Sequence, residues 1–562
     1  MWRKTIQCFC GILVLCCLLL SCAAPAAAES PSAIRVLLRR LALSDRMDLT
    51  LSGRYLVRSA SGSELLLPEE ARVTVLLRDR QLFLYSGGIS AGMGASCSFL
   101  ALHSGDADPR IRFNLQPGFY PGSLSVSIED NRLVPILSLP LETYLKGVVP
   151  YEMGDGFPPE ALKAQAVCAR TYALSRMRPS AAWDVVDTTN DQVFRGLNDA
   201  SPKSMQAVED TAGLVLTCDG KLITAWYSAS NGGQTELPAN IWEGNAPRCF
   251  ALTEDPWDAA NPESVVRTCV LARDASGLSP AFVKLIHRAA LADPRLRDLI
   301  PEEEDFRLSR LNALALTTPR YAAPSRLMTR LEVTFETDSF RNAGKAASSG
   351  EEEELDIADL LSSYPMTVTL DLFPETLIAL GLSISGADNE IITLQEDDSA
   401  FTLTAGRFGH GVGLSQRGAQ QMANAGGKNF QEILSFYFPG AALKRYAGEP
   451  SPLPTPPPEL ARDPGPAPTA TPRPTLMPVT QELPEGARMA TVTGIAQDSS
   501  LNLRAQPSAG AEILMRLYYR QPLIVLEESD VPGWVHVRTD AAEGFVMESF
   551  LEYETDPDLP KG

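Results

Sequence analysis

LETYLKGVVPYEMGDGFPPEALKAQAVCARTYALSRM, residues 141–177, is the stretch on which the reading of this chain turns. Pro158 and Pro159 stand where a helix would begin, and proline is tolerated in a first turn, where its missing N–H would have no partner anyway. From 160 to 177 the residues are good helix formers. Lys163, Val167, Arg170 and Leu174 share one face at a period of 3.6, and Leu162, Ala166, Ala169 and Ala173 form a neighbouring small-residue face that permits close packing. Glu152 precedes the helix in a turn bounded by proline and glycine. Lys163 and Arg170 are therefore expected to project toward one cleft, although a glutamate near two cations is more often a structural ion pair.

The second informative segment is AGRFGHGVGLSQRGAQQMANAGGKNFQEILSFYFPGAAL, residues 405–443. His410 sits among Gly406, Gly409, Gly411 and Gly413, and glycines there permit positive φ and close approach of backbone to a ligand. A helix is predicted from near Ser415, carrying Gln416, Gln420 and Met422. The plainer reading is a glycine-rich turn around a satisfied histidine.

Outward from these segments the chain reads as a multidomain α+β protein. Residues 33–140 are β-rich: IRVLLRRLAL, ARVTVLLRD, QLFLYSGG and SLSVSIEDNRLVPILSLP are strand-sized runs with turn residues between them. A mixed α/β core with Gly-rich loops follows. Its patterning weakens over about 251–400, where the acidic run EEEELD at 351–356 reads as a solvated loop. Residues 446–486 form a linker whose centre, SPLPTPPPELARDPGPAPTATPRPTLMP at 451–478, is too rich in proline to bury a core. A small β-barrel is expected over 487–553.

The chain has 562 residues and a formal net charge of −20. That charge argues against nucleic acid as a partner, because such binding needs a basic footprint. Residues 1–28 read as an export leader, with Arg3 and Lys4 ahead of an apolar run shorter than a membrane span requires. Two processing sites compete: Leu19-Leu20-Ser21-Cys22 resembles a lipobox with a lipid on Cys22, and Ala26-Ala27-Ala28 offers a small-residue peptidase site. Beyond the leader, Cys97, Cys168, Cys218, Cys249 and Cys269 are odd in number and show no C-x-x-C. Buried free thiols are the preferred reading, and Cys249–Cys269 is the favoured pair if a disulfide forms.

Four motifs in order carry a resemblance: GVVPYEM with PPEALKAQAVCARTYAL, DTTNDQVFRG at 187–196, YSASNGGQTE at 227–236 and FGHGVGLSQRGAQQMA at 408–423. Together with LQPGFYPGSL ahead of them, they resemble the stage II sporulation protein D (SpoIID) family, which includes the LytB amidase enhancers. The resemblance spans residues 33–445, is strong in 140–250 and 400–440, and is weak in 251–400. LNLRAQPS, GWVHVRT and EGFVMESFL within 487–553 resemble the bacterial SH3-like (SH3b) barrels that bind cell wall. In that module Trp534 is either a sugar-stacking residue or core.

The resemblance implies a peptidoglycan lytic transglycosylase in sporulation or wall remodelling. It would cut MurNAc–GlcNAc bonds of peptide-stripped strands to 1,6-anhydro products, with Glu152 as the catalytic acid. One carboxyl suffices if the sugar's own C6 hydroxyl is the incoming group, whereas hydrolysis by water usually needs two. An acid of this kind needs a raised pKa, so Lys163 and Arg170 are assigned to substrate oxygens rather than to Glu152. Gln165, Tyr172, Gln192, Ser230, Gly232, Gly233, Thr235, His410 and Gln416 match motif positions expected to contact or shape the glycan groove. The alternative is a glycan-binding protein that stimulates a partner amidase. Ser230 and Asn231 stand where some members carry zinc ligands, and none of His103, His287, His410 and His536 lies in a ligand-spaced cluster. No metal and no cofactor is expected.

Overall fold

The computed structural model describes residues 33–102, 108–114, 116–198, 200–242, 247–338, 365–446, 488–493, 500–508, 511, 513–518, 522–539 and 542–553. The leader with Cys22, His103, the acidic run and the proline-rich linker lie outside the described residues. The contacts divide the chain into two units, one of residues 1–151, 177–200 and 447–562, the other of 152–176 and 201–446. The 33–445 stretch is thus shared between both.

In the first unit the predicted β-rich segment forms two sheets, of seven and six strands. The strand Arg46–Ser52 alternates partly exposed and buried residues, and Ala71–Arg78 buries every second side chain, the period-two pattern of strands with one face on a core. Ala33–Leu37 pairs antiparallel with Arg132–Pro140 and parallel with the two-residue strand Val185–Val186. Arg132–Pro140 then runs directly into the helix Leu141–Lys146, with Pro140 in the N-cap position.

The second unit is organised around the helix Pro159–Arg176, in which every residue from Ala161 to Leu174 except Lys163 is buried. Burial on all sides is the mark of a central helix. Its alanines allow the helices Pro202–Asp210, Gln416–Asn424 and Phe430–Tyr437 and the strand Leu214–Cys218 to pack against it. The weakly patterned stretch builds a hydrophobic core of its own. The strand Val266–Ala272 pairs with Ala400–Gly406, and Leu308–Pro319, Met328–Thr337 and Met366–Asp371 form a second sheet. Phe282, Ile286 and Ala290, spaced four apart on the helix Pro280–Ala292, pack with Leu331, Phe335, Phe401 and Leu403.

Residues 488–553 close a separate core of Ala490, Val492, Leu503, Leu517, Val525, Val535, Val537 and Val546. The expectation of a closed barrel is corrected here. The seven strands form an open order, and the end strands Ile513–Tyr518 and Leu551–Tyr553 share no pairing among the described residues. A three-residue end strand leaves few unpaired backbone groups, which makes an open edge tolerable. Trp534 is partly buried.

All five described cysteines are free thiols, and Cys249 and Cys269, the favoured disulfide pair, are not joined. Among the described residues no helix is long and apolar enough to cross a membrane.

Candidate functional site

Glu152 ends the short helix Val149–Glu152 and is partly buried. Seven residues later begins the central helix that carries four of the sequence-predicted site residues. Their surroundings differ from expectation. Lys163 pairs with Glu160 at 3.0 Å and Asp210 at 3.2 Å, and its pKa is raised chiefly by the Glu160 hydrogen bond. Arg170 is fully buried and donates to the carbonyls of Leu214 and Val208, both at 3.2 Å. A helix packed on every side turns that guanidinium inward, so Arg170 ties the helix to its neighbours. Tyr172 is also buried, at 7 % exposure.

Gln165 and Gln416, separated by 251 residues in sequence, meet at 3.4 Å, with Gln416 Nε2 donating to Gln165 Oε1. Gln165 Nε2 is buried with no partner, an arrangement native proteins rarely leave without a reason. Gln192 lies in the first unit, where Tyr144 donates to its Oε1 at 3.3 Å.

The loop 230–236 is held by two clamps. The first is Asp258, fully buried, which accepts from Ser230 Oγ at 2.7 Å, Ser264 Oγ at 2.7 Å, Ser415 Oγ at 2.9 Å and the Asn231 N–H. Ser415 also caps the helix Gln416–Asn424 by accepting from the Gly418 N–H. Asp255 stands beside it, accepting from Tyr437 at 2.7 Å and Asn231 Nδ2 at 2.8 Å; burial raises its pKa. The second clamp is Arg407, which pairs with Glu236 at 3.2 Å with both side chains essentially unexposed. Arg407 also donates to the carbonyls of Asn231 and Gln234. Its φ of 97° is unfavourable for a side chain of this size.

Gly232 and Gly233 both adopt positive φ, and a Cβ on Gly232 would lie 2.8 Å from the Arg407 nitrogen. Thr235 Oγ1 donates to the Ala251 carbonyl at 2.7 Å. Ser230 and Thr235 therefore direct their hydroxyls into the protein and shape the loop from within.

His410 is partly buried. Its Nδ1 accepts from the Val412 N–H at 3.0 Å, and the ring also hydrogen-bonds the Tyr227 backbone. Burial first, and the Arg407 charge second, pull its pKa down to about 4. The ring is therefore neutral at physiological pH, with Nδ1 as acceptor and the proton on Nε2. The histidine and Trp242 rings meet in a T-shaped contact, with centroids 5.0 Å apart. Among the described residues no group of three or more His, Cys, Asp or Glu side chains is placed to hold a metal ion.

Sequence reasoning did not reach Asp255, Asp258, Glu236, Arg407, Trp226 or Trp242. The two aspartates had a legible signal in D-P-W-D, an N-cap aspartate followed by proline at the first helical position. The structure realises it as the helix Pro256–Ala260, capped by Asp255.

Two protein-family models match parts of this chain. Residues 129–218 match the family model described as Stage II sporulation protein, and residues 499–552 match that of the bacterial SH3 domain. The chain thus carries a SpoIID domain and, toward its C-terminus, a bacterial SH3 domain. Among particular relatives, it is 30 % identical over 311 residues to a protein named Amidase enhancer from Bacillus subtilis (strain 168). That match covers 54 % of this chain and 40 % of the enhancer. It is 28 % identical over 345 residues to an uncharacterized protein of Brachyspira hyodysenteriae (strain ATCC 49526 / WA1), covering 60 % of this chain and 77 % of that one. It is 25 % identical over 324 residues to Stage II sporulation protein D of Bacillus subtilis (strain 168), covering 54 % of this chain and 75 % of the relative.

Proposed function

We propose that this protein is an exported peptidoglycan lytic transglycosylase acting on glycan strands already stripped of stem peptides. The observation that carries the reading is Glu152, a partly buried carboxyl at the end of a short helix, inside the segment matched by the SpoIID domain. Glu152 protonates the leaving glycosidic oxygen and then takes the proton from the C6 hydroxyl as that oxygen closes the 1,6-anhydro ring. The SH3 domain holds the protein to the wall, and the leader, cleaved or lipidated on Cys22, delivers it there.

A second reading has a specific observation behind it: the similarity to a protein named Amidase enhancer. In that case the same groove binds glycan and stimulates a partner amidase without cleaving the strand. Incubating the protein and its Glu152→Gln variant with amidase-stripped strands separates the two. Anhydro-ended fragments from the parent protein alone, read by mass spectrometry, support the transglycosylase. Strand binding by both without cleavage supports the enhancer.

A further inference from the structure

Among the described residues only two aromatic side chains are exposed, Trp242 at 39 % and Phe408 at 43 %. Both flank His410. Trp242 stacks on Trp226, with centroids 4.8 Å apart and planes 20° from parallel, and meets the His410 ring in a T-shaped contact at 5.0 Å. Trp226 is backed in turn by Phe250 at 5.4 Å, and Phe250 by Phe438 at 5.6 Å. The stack therefore runs from a buried phenylalanine out to a half-open indole.

We propose that the Trp226–Trp242 stack beside His410 is an aromatic platform that binds a pyranose ring of the glycan strand. The inference rests on the glycan reading above and adds residues to it. A pyranose presents one face of C–H groups and a rim of hydroxyls. Its C–H face packs on an indole, which combines a large apolar surface with little conformational freedom to lose. The backing rings hold Trp242 in place before a ligand arrives, so little ordering cost falls on binding. The neutral His410 ring, with Nδ1 and the opposite edge taken up by backbone groups, contributes packing rather than charge.

The test titrates amidase-stripped glycan strands into the full-length Glu152→Gln protein, which removes turnover on either functional reading, and into the same protein carrying Trp242→Ala or Trp242→Phe. Tryptophan fluorescence and calorimetry report binding, and circular dichroism reports folding. The proposal expects Trp242→Ala to weaken binding by about tenfold, the scale of a lost stacking contact, and Trp242→Phe to recover most of it. Equal binding by all three proteins overturns the platform and leaves the glycan reading intact. No binding by the starting protein overturns both. A misfolded Trp242→Ala is decided by Trp242→Phe together with acrylamide quenching of the starting protein and of Trp242→Phe: a strand-protected indole component present in the first and missing from the second supports the platform, and identical protection in both overturns it.

Discussion

Acidification should weaken the Gly-rich loop through His410. In the unfolded chain this histidine titrates near 6.5, and in the fold it is pulled down to about 4. The folded state therefore binds fewer protons than the unfolded state between those values, and stability falls as pH drops through that window. The contribution is intact above pH 6.5. The linkage relation gives a loss of about 2 kcal/mol by pH 5 and about 3 kcal/mol once pH is below 4. The structural cause is specific: a protonated Nδ1 can no longer accept from the Val412 N–H. Asp187 works in the opposite sense, since burial raises its carboxyl to about 7 and so favours the folded state on acidification. The assay must therefore isolate His410. Histidine-labelled protein and its His410→Gln variant, compared by NMR between pH 4 and 8, identify the resonance and its midpoint. Urea unfolding of both at pH 7.5 and 5 gives the difference in slope. A His410 midpoint near 6.5, or identical pH slopes in the two proteins, would refute the reasoning.

Two further predictions concern the loop clamps. Asp258→Ala leaves three hydroxyls and the Asn231 N–H without their buried acceptor, and should cost about 3 kcal/mol or more in urea unfolding; a change below about 1 kcal/mol would mean the network is not structural. Gly232→Ala places a methyl 2.8 Å from backbone at a φ of +71°, and should lower stability by about 1–3 kcal/mol in the same measurement, with a neutral result showing that the loop yields.

The parts of the site that lie on one periodic element were readable in advance. The helix after Pro158, the cap at Ser415 and the glycines around His410 follow from local rules, since capping, proline tolerance and positive φ depend on a few neighbouring residues. Periodicity placed Lys163 and Arg170 on one helical face, yet it did not anticipate a helix buried on every side. Once Pro202–Asp210 and Leu214–Cys218 cover that face, the arginine becomes an internal strut. The stretch 251–400 looked unpatterned because its core is assembled from strands distant in sequence, and it supplies Asp255 and Asp258 beneath the loop.

The sequence by itself determined the order of modules, the acidic balance, the family motifs and the position of Glu152 shortly ahead of the central helix. Only the tertiary structure decided which polar side chains face inward. Hydrogen-bond satisfaction of a buried group depends on partners brought in from elsewhere in the chain: Gln165 meets Gln416 across 251 residues, Arg407 meets Glu236 across 171, and Trp242 is stacked on Trp226 against His410. Local sequence carries propensity and spacing. Long-range packing assigns each polar group to solvent, to a ligand or to the protein's own interior, because a buried donor or acceptor must find its partner wherever the fold places one.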